Sequence, residues 1–212
     1  AEQGNAVAQF NLGAMYAQGD GVPKDSVKAA FWISKAAEQG ITDAQTSLGL
    51  MYVDGIGVPK DSSKALFWIG KAAEKGDVTA EANLGWIYAT DTGALNDFVK
   101  AAYWYGKAAE QGHAVAQSNL GLMYGDGEGL PKDPVKAEYW VRKAAYQGYV
   151  VAQSNLGVMY AFGDGIPKDS VLAYAWLSIA ATKSDEFAKK WLETIKKEMT
   201  QAQIAEAKKI AA

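Results

Sequence analysis

One feature limits the fold more than any other: the chain repeats itself every 36 residues, five times, without a gap. The units run 5–40, 41–76, 77–112, 113–148 and 149–184, and ten positions hold the same residue in all five. A unit this short cannot bury an apolar face alone, so neighbouring units must stack. In the first half of each unit, Ala8, Leu12 and Tyr16 recur at four-residue steps through to Ala152, Leu156 and Tyr160. That spacing puts three side chains on one face of a helix. Met15, Met51, Ile87, Met123 and Met159 widen the stripe. In the second half, Ala29, Trp32 and Ala36 recur as far as Ala173, Trp176 and Ala180, which predicts a second helix packed on the first.

Punctuation separates the two helices. Gly21, Gly57, Gly93, Gly129 and Gly165 mark a tight turn, and four units continue Pro-Lys-Asp. The aspartates Asp25, Asp61, Asp97, Asp133 and Asp169 are placed to cap the second helix. Pro134 follows one cap at the first helical position, where a missing N–H costs nothing. Gly40, Gly76, Gly112 and Gly148 close the second helices in left-handed conformation. A glycine inside the first helix (Gly13, Gly49, Gly85, Gly121, Gly157) weakens it, so its recurrence predicts close helix approach, with the Ala29 and Ala36 positions as partners. After Ser184, Glu186–Met199 reads as one further helix and Thr200 opens another, with Gln203 completing a capping box. Residues 185–212 are therefore expected to cap the array. Residues 1–4, Ala-Glu-Gln-Gly, match 37–40 and 109–112, and are expected to be the tail of a preceding repeat. All seven segments are expected to form one domain.

The totals narrow function. Net charge is -3, with no basic excess for a phosphate backbone, so no nucleic-acid partner is expected. There is no cysteine, which removes disulfides, thiolate metal sites and cysteine nucleophiles. No apolar run is long enough to span a membrane. His113, the only histidine, opens the fourth unit at a variable position without positioned partners for catalysis or metal binding. The Gly-Asp-Gly segments at 19–21, 125–127 and 163–165 have neither the alternating acids of a calcium loop nor the Lys-Ser/Thr of a phosphate loop. The repeated tryptophans read as packing residues. No enzyme, cofactor or metal is expected, and the sequence carries no signal for oligomeric state.

The run Ala116-Gln117-Ser118-Asn119-Leu120-Gly121-Leu122-Met123-Tyr124, then Gly127 and Gly129, Lys136-Ala137, Trp140 and Lys143-Ala144-Ala145, resembles the Sel-1-like repeat, a relative of the tetratricopeptide repeat. The resemblance covers 5–184, and Thr200–Ala207 looks like the family's common terminal segment. It implies an all-α fold: a right-handed α/α superhelical solenoid of five helix-turn-helix repeats plus a capping helix pair. It also implies a non-catalytic scaffold or adaptor that holds a protein or peptide on its concave surface. The family's roles in bacterial secretion, envelope assembly, host interaction and toxin immunity favour a bacterial periplasmic or secreted location over a cytoplasmic one. The alternatives are a dedicated inhibitor or immunity protein that blocks one toxin or enzyme, and a binder of a small molecule or glycan fragment. Properties of cysteine-rich relatives do not carry over. The third inner loop, Thr90 to Asp97, departs from the pattern and is expected to be more mobile or functionally distinct.

Three rows on the first helix are expected to line that concave surface: Phe10, Thr46, Ala82, Ser118 and Ser154; Asn11, Ser47, Asn83, Asn119 and Asn155; Ala14, Leu50, Trp86, Leu122 and Val158. The predicted partner-binding residues are Trp86, Leu50, Leu122, Val158, Phe162, Asn83, Asn119, Asn155, Asp54 and Asp126. The asparagine amides suit a peptide backbone, and the two aspartates favour a partner with some positive charge.

Overall fold

The computed structural model describes residues 1–90, 96–163 and 165–211. The inner-loop residues Asp91, Thr92, Gly93, Ala94 and Leu95, on which the atypical-loop expectation rests, lie outside the described residues, as does Asp164. Among the described residues every regular element is helical. The chain forms two compact units, 1–96 and 97–212. The first holds α1 (Ala6–Gln18), α2 (Ser26–Glu38), α3 (Thr42–Asp54), α4 (Ser62–Ala73) and α5 (Val78–Thr90). The second holds α6 (Phe98–Glu110), α7 (Ala114–Asp126), α8 (Pro134–Tyr146), α9 (Val150–Phe162), α10 (Ser170–Thr182), α11 (Glu186–Lys196) and α12 (Gln201–Ala211). In the first unit each helix packs on the next in sequence, and in the second the same holds from α6 to α11, while α12 packs on α10. The last repeat's successor therefore begins as expected but is shorter: α11 stops at Lys196, and Met199 is buried in the following turn.

The turns follow from their residues. Gly19, Gly55, Gly127 and Gly163 end the first helices at positive φ, with their N–H groups bonded to the Met15, Met51, Met123 and Met159 carbonyls. The capping aspartates then fold the loop back, since the N–H groups of Asp25, Asp61, Asp133 and Asp169 donate to the carbonyls of Tyr16, Tyr52, Tyr124 and Tyr160. Their side chains accept from the first free amides of the second helix, as at Lys28, Lys64 and Lys136. Each lysine also reaches back, with Lys28 Nζ 3.4 Å from Asp25 and over the Tyr16 ring. At the chain's end, Thr200 and Gln203 form the reciprocal capping box.

The caps carry a pH signature. The amide of Lys28 holds the Asp25 carboxyl below its ordinary 3.8, and the amides of Lys64, Lys100 and Lys136 do the same for Asp61, Asp97 and Asp133. A carboxyl with a lower pKa in the folded than in the unfolded state stabilises the fold above the unfolded value, and that contribution is lost as pH falls through the folded one. The thermal midpoint should therefore drop on acidification below about pH 4. Asparagine keeps a capping oxygen but no titration. The quadruple Asp→Asn variant at 25, 61, 97 and 133 should show a shallower acid limb; an unchanged limb would place the acid sensitivity elsewhere.

The internal glycines mark close helix approach, with the backbone of the Ala29 position beside them as expected, but the nearest atoms come from a residue that the sequence expectation did not name. A Cβ on Gly13 would stand 2.6 Å from Ile33 Cγ1, and one on Gly121 would stand 2.6 Å from Val141 Cγ2 and 2.9 Å from the Ala137 carbonyl. A branched side chain fills the space over Gly13, Gly49, Gly121 and Gly157, and the Ala36 position is not among the nearest neighbours. The alanines Ala29, Ala36, Ala65 and Ala72, with Ala137, Ala144, Ala173 and Ala180, are buried instead because the second helix is enclosed on several sides.

A buried polar row runs through both units. Gln45, Gln117 and Gln153 donate their Nε2 to the carbonyls of Ala37, Ala109 and Ala145, near the end of the preceding second helix. In turn Gln9, Gln45 and Gln117 accept on Oε1 from Gln39 (2.7 Å), Lys75 (3.1 Å) and Gln147 (2.7 Å). The glutamine thus joins the end of one repeat to the start of the next.

Candidate interaction clefts on the first helices

The exposed side chains of the first helices follow from how those helices pack. On α5, Ala80, Glu81, Leu84, Gly85 and Ile87 are buried, which turns Trp86 outward, 44% exposed. Its indole borders a cleft of about 250 Å³ formed by Val53 of α3, Lys60, Ser62 and Ala65 at the start of α4, and Thr90. Thr90 donates its hydroxyl to the Trp86 carbonyl at 2.8 Å, fixing the end of α5 beside the cleft. The 97–212 unit repeats the construction. There Gly125 and Asp126 of α7, Lys132, Pro134 and Ala137, and Met159 of α9 enclose about 160 Å³, with Leu122 on one wall. Val53 and Gly125, Lys60 and Lys132, Ser62 and Pro134, Ala65 and Ala137 are the same repeat positions. The cleft is therefore a property of the repeat, while the residues at its mouth vary.

Of the predicted site residues, Trp86, Leu122 and Asp126 border a cleft. Leu50 is half-buried on α3, and Asp54 is exposed as the last residue of that helix. Val158 packs against the core of the 97–212 unit. Phe162, exposed at the end of α9, meets Trp191 of α11 edge to face, with ring centroids 5.2 Å apart. Asn83, Asn119 and Asn155 are half-buried, and the Asn119 side chain is already bonded to the Tyr105 hydroxyl. Burial pushes that phenol up to about 12, so it stays protonated. His113 caps α7, accepting from the Ala116 amide on Nδ1 at 3.3 Å, and burial lowers its pKa, which favours the neutral ring that this contact needs.

One row requires correction. Thr46, Ala82, Ser118 and Ser154 are buried, and Phe10 is half-buried against a core cluster, so this row does not line an exposed face. Two of its hydroxyls serve the following repeat: Thr46 donates to Asp77 at 3.5 Å, and Ser154 to Asp185, the cap of α11, at 2.6 Å. The repeated tryptophans are half-buried rather than sealed in the core. Trp32, Trp68, Trp104 and Trp140 each hold the preceding exposed ring edge to face at 5.0–5.1 Å. Sequence reasoning passed over Lys60 and Lys132 because Pro-Lys-Asp reads as turn punctuation. Their recurrence at a place where the turn needs no cation was the available signal.

Among the described residues no cluster of three histidine, aspartate or glutamate side chains could hold a metal ion. No described helix is long and apolar enough to cross a membrane. Stacked helix hairpins with a cleft between successive repeats define an α-helical repeat protein that presents side chains. The Sel1 repeat model matches residues 6–41, 42–77, 78–113, 114–149 and 150–185, and the chain belongs to the Sel1 repeat family. That family is an all-α solenoid fold, non-catalytic, whose repeats mediate protein interactions. A solved uropathogenic Escherichia coli protein, c5321, a protective antigen with the same repeat fold, is 40% identical over 99% of this chain, with a TM-score of 0.91. This chain spans 45% of that protein's length. A Sel1 repeat protein from Oxalobacter formigenes is 37% identical over 98% of this chain and 87% of its own, with a TM-score of 0.81. A Klebsiella pneumoniae relative is 26% identical over 92% of this chain and 95% of its own, with a TM-score of 0.55. No curated protein matches.

Proposed function

We propose that the chain is a scaffold that holds a protein or peptide along the first-helix face, with Trp86 as the principal contact of its 1–96 unit. The observation that carries this reading is an indole 44% exposed beside a preformed cleft, at a position where the other repeats have Ala14, Leu50, Leu122 and Val158. Repeat packing does not need an indole there, and a large aromatic beside a pocket is the usual character of a binding hot spot. Leu122, Val158 and Phe162, with Asn119, Asn155 and Asp126, are the corresponding contacts of the 97–212 unit; Leu50, Asn83 and Asp54 flank Trp86 on α3 and α5. Lys60 beside Trp86 adds preference for a partner carboxylate next to an apolar side chain.

The test compares two tryptophans. Trp86→Ala should weaken affinity for a purified partner by about 2 kcal/mol or more. Its effect on the thermal midpoint should be small. Trp104→Ala removes a half-buried ring from packing and should cost about 3 kcal/mol of stability, the low end for such a truncation. Trp86→Ala unfolding the array as severely as Trp104→Ala would make Trp86 a packing residue and end the reading. A dedicated blocking protein would in addition abolish its partner's activity at one-to-one stoichiometry, whereas a scaffold would leave it intact.

A further inference from the structure

The fifth repeat departs from the others in one place. At equivalent positions the second helices of the second to fourth repeats carry Lys64, Phe67 and Lys71; Lys100, Tyr103 and Lys107; Lys136, Tyr139 and Lys143. At the end of the second helix before each of them stands Glu38, Glu74 (the C-cap of α4) or Glu110. In the fifth repeat the first three positions become Leu172, Ala175 and Ile179, the preceding second helix ends in Tyr146, and the tryptophan stays as Trp176. Three charged positions and one bulky ring are exchanged together.

The exchanged residues meet. Tyr146, Leu172, Trp176, Ile179 and Gln153, with Ile210 of α12, line a cavity of about 360 Å³. Ala175, 1% exposed, leaves open the space that a ring would fill in the other repeats. Tyr146 and Trp176 stand edge to face, centroids 5.2 Å apart, and no charged side chain lines the space. Docking of α12 on α10 accounts for the burial of Ala175. It does not account for Tyr146 and Ile210, which remain 74% and 50% exposed at the same cavity.

A polar atom gives the cavity a second character. Gln153 is 4% exposed and spends its Nε2 on the Ala145 carbonyl, but its buried Oε1 accepts no hydrogen bond. The matching oxygens of Gln9, Gln45 and Gln117 are all occupied. Lys183, in the place of Lys75, keeps the counterpart of the Lys75 bond to the Gly40 carbonyl, on Gly148, but does not make the second bond that Lys75 makes to Gln45 Oε1. A buried acceptor without a donor is costly, and a ligand that brings one gains that interaction.

We propose that this cavity binds one neutral aromatic ring carrying a single N–H or O–H donor, with the ring against Tyr146, Trp176 and Ile179 and the donor on Gln153 Oε1. The volume lies at the small end for ligand pockets, which suits one or two fused rings. Indoles and phenols have this chemistry, free or as tryptophan and tyrosine side chains of a partner. The site lies wholly in the 97–212 unit and does not depend on the first-helix clefts.

Indole titrated into the full chain and followed by amide NMR tests it. Saturable shifts are expected at Tyr146, Trp176, Ile179 and Ile210, and 1-methylindole, which lacks the donor, should bind about tenfold more weakly or worse. Leu172→Lys and Ile179→Lys restore the charge that other repeats hold here. Each should keep the helical circular dichroism and lose the binding. N-acetyltryptophanamide separates the sources: binding as tight as indole supports a side chain from a partner, and much weaker binding supports a free small molecule. Failure of indole to saturate, equal affinity for 1-methylindole, or undiminished binding by both lysine variants would overturn the proposal.

Discussion

Leu177→Ala is expected to destabilise the protein by about 3 kcal/mol, and adding Gly157→Ala should return part of that loss. Leu177 is fully buried, and its Cγ would lie 2.6 Å from a Cβ placed on Gly157. Truncation alone leaves a cavity between α9 and α10 that rigid helices collapse only partly. Gly157→Ala alone overfills the same space and should cost about 1–3 kcal/mol. In the double variant the new methyl enters the vacated volume. Recovery is incomplete because the Ala173 carbonyl stands 3.1 Å from that methyl. Chemical denaturation of the wild type, both single variants and the double variant gives the coupling. Strict additivity would mean that the two residues do not share this space.

Gly129→Ala should be nearly as damaging, at about 3 kcal/mol, although the residue lies in a loop. Its φ is 72°, which costs any other residue about 1 kcal/mol. Its Cβ would also run into the Phe98 carbonyl and stand 2.8 Å from the Val99 amide, adding an overpacking cost of about 1–3 kcal/mol because the atoms are backbone and cannot rotate away. Gly112→Ala separates the two effects: φ there is 92°, but a Cβ would meet nothing within 4 Å. It should cost about 1 kcal/mol. Equal midpoints for the two variants would show that crowding against α6 contributes nothing.

These glycines show how far the sequence could be read. Period, caps and turns were legible because each rests on neighbours within one helix or loop: Asp133 announces a cap whatever surrounds it. The occupant of the space over Gly157 was not, since Leu177 lies at a position that varies among Ile33, Ile69, Tyr105, Val141 and Leu177. The Thr46 and Ser154 row was misplaced because short polar residues on a helix look solvated until the next repeat's cap is seen to take their hydroxyls. For the clefts, Trp86 was legible as an unneeded indole, but Lys60 was hidden inside a motif with a sufficient local explanation. The cavity beside Trp176 leaves its trace only where Tyr146, Leu172, Ala175 and Ile179 are compared together with their counterparts.

The glutamine row has a consequence for how such an array changes length. Gln147 and Gln117 lie within one 36-residue module, as do Gln39 and Gln9, whereas Gln117 reaches the Ala109 carbonyl of the module before it. The first, second and fourth modules therefore each bring both the acceptor for their own trailing side chain and the donor for the preceding last turn, whereas the third has Glu81 at this position and the fifth leaves Gln153 Oε1 without a donor. Duplication of one of those three modules in register moves a complete donor–acceptor set. It strands no amide in the interior, where a stranded amide would cost about 1–3 kcal/mol. Gene-level gain of such a module is thus nearly silent for the joints, and selection is left to act on the side chains that each module displays.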